Sequence, residues 1–203
     1  MKKITKIIIT TLITTSIIFG MHNTTPVSAD SLSLTQDQKE SYYKQYTTIV
    51  KEVNLEYPEV ELKLDPFENF KAEEWVKPEE FKRIVIDMAN LKFVPTPNNN
   101  SISANTIKKV TTTINGTAVT ISINGSFQTI LNEAASRQAF GNVLSLSTSS
   151  DKGIWIQTGF TPFLIDLGRT YSIDLGGTFT YNGVTLSRGI NIEFYCNPNG
   201  AIN

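Results

Sequence analysis

Three of the four Asn-Gly pairs, Asn115-Gly116, Asn124-Gly125 and Asn182-Gly183, sit among runs in which apolar and polar residues alternate. No other feature restricts the second half of the chain so strongly. Asn-Gly suits two successive positive φ values, and so the tightest antiparallel hairpin turn. Strand parity is visible in Val119-Ile121-Ile123, Ile154-Ile156, Phe163-Ile165-Leu167, Tyr171-Ile173-Leu175 and Ile190-Ile192-Phe194. Register follows from opposing apolar residues to apolar ones. A two-residue turn at Asn115-Gly116 sets Val110 against Ile121, and one at Asn182-Gly183 sets Phe179 against Leu186. At Asn124-Gly125 the same turn would oppose Ile121 to Gln128. A three-residue loop including Ser126 is therefore expected there, pairing Ile123 with Phe127 and Val119 with Leu131. Seven or eight strands should pack as a sandwich or flattened barrel, because an open amphipathic sheet leaves an apolar face wet. Leu131 to Gly141 is ambiguous, with a possible helical turn between Ala134 and Phe140.

The preceding segment has another character. Residues 35–93 hold thirteen acids and nine bases, whereas residues 96–203 carry only eleven charges. Thr35 with Gln38 forms a capping-box pattern, after which Tyr42, Tyr46, Ile49, Val53 and Tyr57 recur at helical spacing up to Pro58. Val60, Leu62 and Leu64 alternate with charges and suggest a short extended stretch. Asp65-Pro66 begins a brief turn holding Phe67 and Phe70, and Pro78 begins a helix with Phe81, Ile84, Val85 and Met88 on one side. The aromatic stripe and Trp75 read as core, and the acids Glu73, Glu74, Glu79 and Glu80 as a solvated first turn. The expected fold is α+β: a short helical N-terminal region at 30–94, a linker at 95–106 and an antiparallel all-β sandwich or flattened barrel at 107–203. The linker rests on the Pro and Asn crowding in Val94-Pro95-Thr96-Pro97-Asn98-Asn99-Asn100-Ser101.

Residues 1–29 read as a secretion signal. Lys2, Lys3 and Lys6 precede the apolar run Ile7 to Phe19, and Val27-Ser28-Ala29 offers small residues at the cut. That run, interrupted by four threonines, is shorter than the roughly 20 residues of a membrane span. Release without a stable membrane anchor is expected, with a product starting at Asp30. It would hold 15 bases against 19 acids, a net charge of −4, which does not suggest nucleic acid. His22, the only histidine, leaves with the signal. A Ser-His-Asp triad, a Cys-His dyad and a histidine zinc site are thereby excluded from the product. Cys196 is the sole cysteine, read as a small apolar filler. The sequence implies no cofactor and no metal, and it does not set the oligomeric state.

Four residues stand out as candidate ligand contacts. Trp155 has the opposite parity to Ile154 and Ile156, so it should face outward with Gln157, where a ring could stack on a sugar or anchor a partner. The alternative is a strand covered on both faces. Arg188 shares the parity of Val184, Leu186, Ile190 and Ile192. Gly189 permits a bulge that would rotate it outward; left inward at a barrel mouth, it is the best contact for an anionic ligand. Asp166 and Asp174 occupy the repeat Ile165-Asp166-Leu167-Gly168 and Ile173-Asp174-Leu175-Gly176. A three-residue loop at Gly168-Arg169-Thr170 would oppose Ile165 to Ile173 and place both acids, with Glu193, on outer faces. Paired carboxylates or oxygen-held calcium would need such acids close together.

The runs Leu34-Thr35-Gln36-Asp37-Gln38-Lys39 through Tyr42-Tyr43, and Trp75-Val76-Lys77-Pro78-Glu79-Glu80-Phe81, resemble the helical N-terminal part of uncharacterised small secreted proteins of Gram-positive bacteria. The resemblance implies extracellular release and no activity. The leading expectation is a secreted, non-enzymatic binding protein contacting a cell-surface, matrix or host component. One alternative is a membrane-active toxin or pore former, since Thr111, Thr113, Thr120 and Ser122 alternate with Val110, Val119, Ile121 and Ile123 as in a membrane hairpin. Another is a carboxylate-dependent extracellular hydrolase.

Overall fold

In the computed structural model, which describes residues 32–96 and 105–203, Thr35 starts the first helix as its side chain implies. Thr35 Oγ1 accepts from the Gln38 amide at 3.3 Å, and Gln38 Oε1 accepts from the Thr35 amide at 2.9 Å. Helix α1 (Gln36–Glu56) then buries Tyr46, Ile49, Val50 and Val53. Strand β1 (Lys63–Leu64) follows, two short 3-10 turns carry Phe67 and the approach to Trp75, and Pro78 opens α2 (Pro78–Ala89). Asn54 holds the extended stretch by accepting from the Leu62 amide and donating to the Leu62 carbonyl, each at 2.9 Å. The start of the expected linker is ordered as strand β2 (Val94–Thr96), paired with residues 109–111. Its remainder through residue 104 and the whole expected signal, His22 included, lie outside the described residues.

Six long strands follow: β3 (Asn105–Ile114), β4 (Thr117–Asn132), β5 (Arg137–Ser150), β6 (Ile154–Ile165), β7 (Thr170–Tyr181) and β8 (Val184–Tyr195). They form two antiparallel sheets of order β2-β3-β4-β5 and β1-β8-β7-β6. The fold is therefore an α+β sandwich. Two Asn-Gly turns form as expected, with positive φ at Asn115, Gly116, Asn182 and Gly183, Val110 opposite Ile121, and Phe179 opposite Leu186.

The third does not turn. Asn124-Gly125 lies within β4, with Asn124 opposite Ile107 on one side and Ser147 on the other. A turn there would have broken two ladders. The glycine serves packing instead: a Cβ at position 125 would collide with the Phe127 ring and crowd Phe194. One long strand thus replaces two, and the β region has six strands, with β1 and β2 added from the helical region. Within the ambiguous stretch only Glu133–Ala135 form a 3-10 turn, closed by Ser136 in the left-handed region; Leu131 and Asn132 end β4, and Arg137 to Gly141 begin β5 where a helical turn was expected.

Both Asn-Gly turns are where the helical layer attaches. The Asn115 amide donates to Asp87 Oδ2 at 2.7 Å and its side chain to Glu80 Oε1 at 3.0 Å. The Asp65 amide donates to the Gly183 carbonyl at 2.8 Å, and the Phe70 ring fills the space a side chain at Gly183 would need. Beneath, Tyr46 stacks on Phe81 with ring centroids 3.7 Å apart, and Trp75 and Phe70 pack around it. The aromatic stripe is core. Burial raises the Tyr46 hydroxyl to about 12 from 10.0. Between pH 10 and 12 the neutral phenol is favoured only in the folded state, so its stabilisation is complete below pH 10 and fades as pH rises toward 12. Urea midpoints measured from pH 9 to 12 should fall through that window, and Tyr46→Phe should flatten the fall.

Candidate functional site

Trp155 is buried, which corrects the outward reading, but it faces inward on a strand whose other face is open rather than lying on a strand covered on both faces. It is 7 % exposed, while Ile154 and Ile156 are 49 % and 59 % exposed. Its cross-strand partner is Phe179, and Phe93 meets both rings edge-on at 5.8 and 5.7 Å. The indole lies over Gly177, where any Cβ would strike its six-membered ring. A large ring with a glycine beneath it buries more apolar area than isoleucine on this face, which decides the parity.

Arg188 keeps its inward parity. Strands β7 and β8 pair without a shift along their whole length, so Gly189 makes no bulge. Arg188 Nη2 donates to the Ala89 carbonyl at 2.6 Å. Ala89 ends α2, whose last turn has no basic residue, so the guanidinium supplies from β8 the cation that a helix C-terminus favours. Its Nε is buried without a hydrogen-bond partner among the described residues, and so is Trp155 Nε1. The two orphan donors flank one residue: Gly177 lies under the indole and directly opposite Arg188. Orphaned buried donors are costly, about 1–3 kcal/mol each, and call for an acceptor.

Arg188 lines two open clefts. The larger, about 630 Å³, also takes in Glu59, Asn90, Lys92, Phe93 and Gly189. A smaller one of about 280 Å³ shares Glu59 and Val60 with it and adds Glu61, Lys63, Thr185 and Ser187. The larger cleft sets two cations against one acid and has apolar walls in Val60, Leu91 and Phe93. Trp155 backs Phe93 rather than lining the cleft itself. The segment 89–93 was not legible as part of a site, because its neighbours are set by where α2 ends against β8.

The two aspartates are not brought together into a site. The hairpin closes on four residues, Asp166 to Arg169, with Asp166, Leu167 and Gly168 at φ 52°, 57° and 84°. Ile165 consequently opposes Thr170, not Ile173. Asp166 Oδ2 accepts from Thr170 Oγ1 at 2.8 Å, and its carbonyl accepts from Arg169 Nε at 2.9 Å, so this acid builds the turn. Asp174 lies four residues beyond Thr170, about 13 Å along β7. Its Oδ1 accepts from Asn191 at 2.7 Å. Glu193, opposite Ser172, shares the exposed outer face with Asp174. Among the described residues no group of three His, Cys, Asp or Glu could hold a metal ion, and no helix is long and apolar enough to cross a membrane. Cys196 is buried, and that burial pushes its thiol upward.

No protein-family model matches this chain, and neither a curated protein nor a solved structure matches it.

Proposed function

We propose that the chain is an exported, non-enzymatic binding protein whose cleft beside α2 takes an anionic group, a carboxylate above all, of a cell-surface, matrix or host component. One observation supports this most: the Arg188 side chain lines an open cleft, with Val60, Leu91 and Phe93 among its walls, that Lys92 makes net positive. A carboxylate can accept from several charged donors at once. The apolar neighbours supply contact area for the rest of such a ligand, and the resemblance to small secreted proteins of Gram-positive bacteria fits the expected export signal.

The test is an array of acidic and neutral glycans and peptides, read with wild type and two variants. Lys92 is exposed, so Lys92→Glu leaves the fold intact and should weaken binding to acidic probes about tenfold. Arg188→Lys keeps the charge but loses the planar fork and should weaken it further. Wild-type binding that ignores probe charge, or full retention in both variants, would sink the reading.

A further inference from the structure

The most exposed apolar surface is not at the cleft but along β6. Among the described residues this strand has β7 on one side and no sheet neighbour on the other. Residues 154–165 contain no charged side chain, and from Thr158 to Ile165 the strand is exposed on both faces. Edge strands are ordinarily protected by charges, above all lysine. Ile154, Ile156, Phe160, Phe163, Leu164, Ile165 and the turn residue Leu167 are 38 % to 90 % exposed. At roughly 200 Å² per side chain they present roughly 700 Å² of apolar area, more than an ordinary monomer patch. One partner in a stable complex contributes about 800 Å².

We infer that a second copy of this chain pairs along β6. A lipid surface could receive the side chains but would leave the unpaired amides and carbonyls of the edge unsatisfied, whereas another strand satisfies both. An antiparallel pairing about a two-fold axis near Gly159 and Phe160 sets Ile154 opposite Ile165 and Ile156 opposite Phe163 of the other copy. All four lie on the outer face of the sheet, as their partners in β7 show: Thr180, Thr170, Thr178 and Ser172 in that order. The same register puts Trp155 opposite Leu164, both of inward parity. Apolar side chains thus meet apolar ones on both faces, and the contact is isologous, so it closes as a dimer. Pro162, which has no amide to donate, and the irregularity between Gln157 and Gly159 confine the ladder to the two flanking stretches. That closure keeps a charge-free edge from continuing into fibres.

The compact unit from Ser31 to Asn203 carries its own core and serves for the test. Sedimentation velocity from about 1 to 100 μM should show a monomer–dimer equilibrium. Amides in 154–165 should gain hydrogen-exchange protection as concentration rises. Ile156→Lys and Phe163→Lys change exposed side chains, so both should fold, and each should weaken the dimer at least about 100-fold by placing an unpaired charge in the contact twice. A monomer throughout the range overturns the inference, as does a dimer indifferent to both substitutions. A monomer that co-sediments with phosphatidylcholine–phosphatidylglycerol vesicles through the same residues assigns the edge to lipid instead.

Discussion

Tyr46→Ala should lower the unfolding free energy by about 4 kcal/mol, near the upper end for an aromatic truncation. The ring is fully buried, stacks on Phe81 and meets Trp75 at 5.9 Å. Its hydroxyl accepts from the Val76 amide at 3.0 Å and donates to the Val76 carbonyl. Removing the side chain leaves a cavity where the two helices and the loop before α2 converge, and strips two buried backbone groups of their partner. Tyr46→Phe keeps the packing and loses only the hydrogen bonds, for about 1–2 kcal/mol. Against a whole-domain stability of about 5–15 kcal/mol, the alanine variant is marginal. Urea unfolding followed separately by tryptophan fluorescence and far-ultraviolet dichroism checks this. A loss below about 1 kcal/mol, or transitions that separate in wild type, would mean that the helical layer does not fold cooperatively with the sheets.

The second large effect lies where Trp155 covers Gly177. Trp155→Ala should cost about 3–5 kcal/mol through the cavity it opens. Gly177→Ala should cost about 2–3 kcal/mol for the opposite reason, since its methyl group enters a ring that cannot retreat past Phe93 and Phe179. The pair should be far from additive. Once position 155 is alanine, the methyl at 177 meets open space, so the double variant should be at least about 1 kcal/mol more stable than the two single losses predict. Additive losses in a denaturation cycle would show that the ring does not lie over the glycine.

Local chemistry made much of this fold readable. Thr35, Pro78, Asn115-Gly116 and Asn182-Gly183 act through their own backbone or nearest neighbours, and each behaves as its residue type demands. Asn124-Gly125 has the same local signal but a different fate, because two neighbouring strands and two phenylalanine rings outweigh a turn preference. Trp155 shows a second limit. Alternation specifies two faces but not which is inner, and on this strand a tryptophan over glycine outweighs two isoleucines. Asp166 could be placed on an outer face only by assuming the loop length, and three consecutive positive φ values changed it. Arg188 was recognisable as a cation on the apolar parity but not as inward, since Gly189 allowed a bulge; its partner Ala89 and the cleft depend on where α2 ends, ninety-nine residues earlier.

The clasp of the helical layer on the two Asn-Gly turns also sets an order of events in a chain made from its N-terminus. Asp65 cannot meet Gly183, nor Phe70 settle on it, until nearly the last strand exists; Asp65 and Thr185 are 120 residues apart. At about 5–20 residues per second the aromatic cluster waits on the order of ten seconds for its cover. Contacts this distant in sequence also slow folding itself. A chain so arranged reaches its finished state late, a delay that would suit the proposed export in an unfolded form.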